Sequence, residues 1–244
     1  MSQQPFQFKK FKVHQDRCAM KIGTDGVLLG AWSSIEHEPK FILDIGAGTG
    51  VVALQLAQRS SASTIDAIEI DDQAHEQCTH NFEHSDWADR LFCYHASVQE
   101  FASEMEHKYD LIVSNPPFFK APKSIDAQTQ NTSQERAVAR FTDTLPFTHL
   151  VVCAAHLLSQ NGVFCTILPQ TEVASFIEIA AQNKLFISKI CTIRGTKKSK
   201  IKRCMLAFST RQSKPKTQEL TIEISRHNYT QEYKNLVSDF YVKM

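Results

Sequence analysis

The sequence predicts an α/β protein built on a mostly parallel, doubly wound sheet, with a reversed last strand and a short amino-terminal extension. Three observations predict it. Short, near-continuous apolar segments recur from Phe41 to Leu168, and helical-period segments separate them, the pattern of strands covered on both faces. The turn Gly46-Ala47-Gly48-Thr49-Gly50 joins the first such strand to its helix. Two later strands, 185–194 and 203–210, flank the basic loop 195–202 as an antiparallel pair at the sheet edge.

In order along the chain, Phe6, Phe8, Phe11 and Val13 partly alternate with Lys and Gln, as in a strand or hairpin. Thr24 to Trp32 reads as a short helix with Thr24 or Asp25 as its N-cap. Strand 41–45 is followed by helix 50–59, strand 64–69 by helix 72–84, strand 91–95 by helix 97–105, and strand 109–114 by a motif loop. Asp71 fits the cap of the second of these helices. The polar segment 119–144 lacks a clear period until Arg136-Ala137-Val138-Ala139-Arg140-Phe141; its length and composition predict a mobile loop that orders around substrate. Helix 145–158, strand 162–168 and helix 170–182, opened by Pro169, continue the alternation. Lys214-Pro215-Lys216 breaks the pattern before a short strand 220–224 and a terminal helix 230–241. This gives an extension over 1–35 and one domain over 36–244.

The segment Asn115-Pro116-Pro117-Phe118 follows the buried-strand pattern Tyr109-Asp110-Leu111-Ile112-Val113. An Asn amide oxygen and a proline carbonyl at a strand end can both accept hydrogen bonds from one planar NH2 group. Pro116 and Pro117 lack a backbone N–H, and their rings hold φ at about −65°. Phe118 offers a flat face for stacking. The set suits methyl transfer to an amine conjugated with a ring or carbonyl. Such a nitrogen is a poor nucleophile, and two acceptors favour the pyramidal state in which its lone pair is localised. A turn that merely ends a strand is the plain alternative, since Asn-Pro commonly opens turns.

Upstream features say what else is bound. Gly46, Gly48 and Gly50 permit positive φ and close backbone approach to a ligand. Glu69 ends the second strand 25 positions after Asp44, where doubly wound folds place a carboxylate for ribose hydroxyls. The turn lacks the third-glycine spacing of the dinucleotide fingerprint. With Asp44 at its mouth, it suits a cofactor carrying an ammonium and a sulfonium better than one carrying a pyrophosphate. Asp44 could instead only orient the turn.

Residues 41–118 therefore resemble a class I S-adenosylmethionine-dependent methyltransferase, a Rossmann-like fold, with an amino-methylating motif. The segment from Met20 to Trp32, with Gly23-Thr24-Asp25-Gly26, is similar to the bacterial tRNA1(Val) (adenine(37)-N6)-methyltransferase family, as is Asp239-Phe240-Tyr241. The resemblance covers nearly the whole chain. It implies S-adenosylmethionine as methyl donor and N6 of adenosine 37, just 3′ of the anticodon, as acceptor. It also implies that Thr24 and Asp25 meet the methionine end of the cofactor. Many relatives carry an acid after the third strand for the cofactor's adenine amino group. Ser97 stands there instead, so that interaction comes from Ser97 or backbone, or is absent. A guanine-N2 methyltransferase of ribosomal RNA and a protein glutamine methyltransferase need the same paired acceptors. A non-enzymatic RNA-binding module would not need both Glu69 and Asn115.

The net charge of +1 hides an asymmetry. Residues 35–110 hold 15 acids against four Lys or Arg, whereas 184–218 hold 11 Lys or Arg and no acid. A solvated loop would explain Lys197, Lys198, Lys200, Lys202 and Arg203 alone. Beside an amine-methylating motif, the distribution predicts a basic face for tRNA. Seven cysteines without a C-x-x-C pair argue against a disulfide framework or zinc cluster. Cys153, Cys165, Cys191 and Cys204 read as small core residues. His80 and His84 lie one helical turn apart without a third ligand, and Asn81, Glu83 and Ser85 read as solvated surface, so no metal is expected. No apolar run is long enough for a membrane span, and the expected setting is the cytoplasm.

Overall fold

The computed structural model describes residues 4–117 and 146–244. Phe118 and the segment 119–144 lie outside the described residues. The chain begins with β1 (Phe6–Gln7), β2 (Lys12–Val13) and α1 (Thr24–Trp32). There follow β3 (Phe41–Ile45), α2 (Val51–Arg59), β4 (Thr64–Glu69), α3 (Asp72–Glu83), β5 (Leu91–His95), α4 (Val98–Glu104) and β6 (Tyr109–Ser114). After the undescribed segment come α5 (Phe147–Leu157), β7 (Leu158–Pro169), α6 (Val173–Gln182), β8 (Phe186–Arg194) and β9 (Arg203–Ser209). β10 (Lys216–Thr221), β11 (Glu223–Ser225), β12 (Asn228–Tyr229) and α7 (Gln231–Val237) close it.

The main sheet has the order β10-β8-β9-β7-β6-β3-β4-β5. Only β9 runs antiparallel to its neighbours on both sides; the reversed strand slots between β7 and β8 rather than ending the sheet. Alternation along each strand sends its side chains to two cores. Ile42, Leu111 and Val113 pack with α1, α2 and α7, whereas Leu43, Ile45 and Ile112 pack with α4, α5 and α6. Asp44 and Asn115 share the parity of the first set, so both belong to the α1–α2 side. Phe8, Phe11 and Val13 join that same core, so the extension is packed rather than appended.

Three elements differ from expectation. β7 starts at Leu158, because one residue on β6 (between Tyr109 and Leu111) faces four on β7 (between Leu158 and Val163). The bulge needs Gly162, where a Cβ would stand 2.8 Å from the Tyr109 carbonyl oxygen. The strand expected at 220–224 spans Lys216–Thr221, beginning at the last residue of the expected break, and pairs parallel with β8. Its first four residues are exposed, and edge pairing by backbone leaves no apolar pattern to read. The terminal helix stops at Val237, short of 241, because the tail turns back. Tyr241 bridges to Phe8, with ring centroids 5.9 Å apart.

Candidate active site

The parallel strands place β3, β4 and β6 so that their carboxyl ends meet at one edge, where ligands of open α/β sheets bind. β3 runs into the glycine turn, whose Gly46, Gly48 and Gly50 have φ of 74°, 55° and 77°. Gly50 is also forced by space, since a Cβ there would lie 2.6 Å from the Phe82 ring. A Cβ on Gly46 or Gly48 would meet nothing within 4 Å, so that side of the turn is open.

Glu69 closes the turn from β4. One carboxylate oxygen accepts from Gly48 N at 2.8 Å, and the other from Ile70 N and Asp71 N at 2.9 and 3.0 Å. A carboxylate has about four acceptor positions, so this half-buried group keeps capacity for a hydroxyl. Asp44 lies beneath the turn, 1% exposed, its Oδ2 accepting from Ala53 N at 3.1 Å. Burial pushes its carboxyl up to about 7, against the Ala53 hydrogen bond, with Glu69 adding to the rise. The Ala53 hydrogen bond ties Asp44 to the first turn of α2, directly behind the glycine turn.

Asn115 stands at the end of β6. Its Oδ1 is buried and has no hydrogen-bond partner among the described residues, beside the buried Pro116. An orphaned acceptor of this kind is costly unless a ligand satisfies it. Two neighbours that the sequence reading missed fix this position. Ser114, fully buried, donates through Oγ to the Ile45 carbonyl at 2.9 Å and ties the end of β6 to the start of the glycine turn. Gly26 brings the first turn of α1 against Asn115, whose Nδ2 would lie 3.9 Å from a Cβ at that position. Ser114 could have been flagged as a hydroxyl at a strand end, but only the register sets it opposite Ile45.

The remaining expected residues divide. Asp71 caps α3 as expected, accepting from Ala74 N at 2.8 Å. Neither Thr24 nor Asp25 caps α1; Gly23 holds that place without a side-chain bond. Thr24 is exposed, and the Asp25 carboxylate accepts from Arg203 Nε at 2.8 Å, joining an expected cofactor residue to an expected RNA residue. Ser97 caps α4: its Oγ accepts from Glu100 N at 3.2 Å and donates to Glu100 Oε2 at 2.7 Å, which uses its donor and one of its two lone pairs. Lys197, Lys198, Lys200 and Lys202 are exposed on the β8–β9 loop, at the same sheet edge as Asn115. Arg194, another residue missed, is bound to Glu219 at 2.8 Å beside that loop.

Asn81 is not solvated surface. It is buried, donates to the carbonyls of His14 and Thr49 at 2.9 Å, and accepts from His14 N at 2.8 Å, tying the extension to the glycine turn. His80 and His84 stack 4.2 Å apart, and the described residues contain no group of three or more His, Cys, Asp or Glu able to hold a metal ion. The expected core cysteines Cys153, Cys165, Cys191 and Cys204 are all buried. No described helix is long and apolar enough to cross a membrane.

With this geometry in place, comparison with known proteins is informative. The Methyltransferase small domain family matches residues 25–145. A tRNA1(Val) (adenine(37)-N6)-methyltransferase of Christiangramia forsetii is 55% identical, with all of both chains covered. One of Flavobacterium johnsoniae is 53% identical over 98% of this chain and all of its own. Among solved structures, a predicted O-methyltransferase from Agrobacterium tumefaciens superposes with a TM-score of 0.66 at 16% identity, covering 88% of this chain and 96% of its own. A ribosomal protein L11 methylase from Lactobacillus delbrueckii gives 0.52 at 16% identity, covering 77% of each. At such identity these two structures bear on the fold alone.

Proposed function

The chain belongs to the tRNA1(Val) (adenine(37)-N6)-methyltransferase family, and we propose that it methylates N6 of adenosine 37 in tRNA1(Val), with S-adenosylmethionine as donor. The observation that carries this reading is the unpartnered, buried Oδ1 of Asn115 beside Pro116, at the sheet edge that also holds the glycine turn. The donor supplies an electrophilic methyl group. The open face at Gly46 and Gly48 and the spare acceptor capacity of Glu69 fit it. Ser97, whose hydroxyl donates to Glu100 and accepts one hydrogen bond from Glu100 N, keeps one lone pair that could accept from the purine amino group, as backbone carbonyls there could.

The chain's own groups do the rest. Asn115 Oδ1 and the Pro116 carbonyl accept the two amine hydrogens and draw the nitrogen toward the pyramidal geometry of the transition state. Fixing that nitrogen in one orientation removes much of the entropic barrier. No strong base is required, because the methylated amine is acidic enough to release its proton to water. The four exposed lysines of the β8–β9 loop favour RNA over a protein amide as acceptor. An anticodon-loop base leaves its stack at less cost than one in a duplex. The proposed setting is the cytoplasm, with its pool of tRNA.

The test is methylation of tRNA1(Val) transcripts followed by mass analysis of the nucleosides. N6-methyladenosine should form with the natural transcript and disappear when adenosine 37 is replaced by guanosine. Formation of N2-methylguanosine would move the assignment to guanine chemistry.

A further inference from the structure

A second cleft, of about 240 Å³, opens at the same sheet edge between the first turn of α1 and the β8–β9 pair. The two sites share a wall: Gly26 abuts Asn115, while Thr24 and Asp25 line the cleft. β6 and β9 are separated by β7 alone, two strand spacings of about 4.8 Å, so the two sites are neighbours along one edge. Leu28, Ile193 and Ile222 supply apolar lining; Arg194, Lys202 and Arg203 supply charge.

The two guanidinium groups are anchored. Arg203 Nε donates to Asp25 at 2.8 Å and its Nη1 to the Lys202 carbonyl at 3.2 Å. Arg194 Nη2 donates to Glu219 at 2.8 Å. Carboxylates that hold these planes by their edges offset their charge, which disfavours a phosphate as the main ligand. A cleft lined by guanidinium groups and apolar side chains together suits a base, because guanidinium and aliphatic surfaces both stack on one. Resting on the RNA reading above, we propose that this cleft receives the base adjacent to the methylated adenosine, held out of the loop stack together with it. The nucleotide that loses its stacking partner when the target is extruded thereby gains another.

The experiment compares the full-length protein on three tRNA1(Val) stem-loops: intact, and with an abasic ribose on the 5′ or the 3′ side of adenosine 37. Backbone phosphates stay in all three. One abasic substrate should show KM raised about 5- to 150-fold, the value of one stacked base, with kcat within about twofold. Arg203→Gln should raise KM on the intact RNA and add little on that abasic RNA. A merely structural role for Arg203 would penalise both equally. Equal KM on all three substrates would overturn the inference while leaving the methylation reading intact. No transfer to the intact stem-loop would overturn both. Equal penalties from Arg203→Gln on intact and abasic RNA would also overturn it, by removing the base from the guanidinium.

Discussion

Asn115 presents a buried carbonyl oxygen that no described residue satisfies, and Ser114 and Gly26 hold it there from two sides. An acceptor fixed before the reaction costs no reorganisation during it. Asn115→Ala should therefore lower kcat by about 10²–10³ while leaving S-adenosylhomocysteine affinity near normal, read by single-turnover kinetics and calorimetry. Retention of more than half the wild-type turnover would remove Asn115 from the mechanism. Asp44 gives a second test. Its carboxyl titrates at about 7 in the folded protein, whereas an aspartate in an unfolded chain titrates at about 3.9. Between those values the folded state holds a proton that the unfolded chain has released, so raising the pH across the window lowers stability, and the decline levels off above it. Asp44→Asn cannot ionise. Unfolding free energies of the two proteins from pH 4 to 8 should diverge with pH, wild type falling relative to the variant; parallel profiles would mean an unperturbed carboxylate.

At the scale of elements, α1 owes its close approach to α2 to Gly26 and Gly30, one helical turn apart. A Cβ on Gly26 would meet Val51 at 3.4 Å, an ordinary separation; one on Gly30 would stand 2.4 Å from the fully buried Gln55. Gly26→Ala should therefore be neutral or up to about 1 kcal/mol stabilising, since alanine favours helix. Gly30→Ala should destabilise by roughly 1–3 kcal/mol through overpacking. Denaturant midpoints decide, and equal shifts would mean that α2 yields freely. The same helix marks a limit of legibility. Its extent was readable, because Gly23-Thr24-Asp25-Gly26 precedes an apolar run, but Asp25 was bound to a partner 178 positions away that no local pattern announces. Strands β3, β4 and β6 were legible to the residue, because burial on both faces imposes an apolar run with sharp ends, and β5, at the sheet edge opposite β10, was legible from its short apolar and aromatic run. β10 was not, since its first four residues, Lys216 to Glu219, are exposed and carry no apolar run. Asn81 was misread for a related reason: its amide satisfies backbone groups of two distant segments, and a buried polar residue of that kind looks solvated in sequence.

Over the whole molecule, charge is distributed by strand direction. β8 ends and β9 begins at the edge that carries Asn115, so the loop between them delivers Lys197, Lys198, Lys200 and Lys202 to that edge. The acids of 35–110 include Glu69 and Asp71 at the β4 end of that edge, so the RNA path on the proposed reading should run from Asn115 toward β9 and away from β4. Changing all four lysines to Gln should weaken tRNA1(Val) binding without altering S-adenosylhomocysteine affinity. It should also flatten the dependence on salt, since every phosphate left without its lysine takes about 0.7–0.9 off the slope of log affinity against log salt. Phe118→Ala, in the Asn115-Pro116-Pro117-Phe118 motif, should lower binding or turnover through weaker stacking, with no counterions released and the slope unchanged. Titrations of wild type and both variants over one salt series separate these effects. A lysine variant that kept the wild-type slope would make the β8–β9 loop a solvated edge. The paired acceptors at Asn115 and Pro116 would still describe amine methylation, but the electrostatic case for an RNA acceptor would be gone.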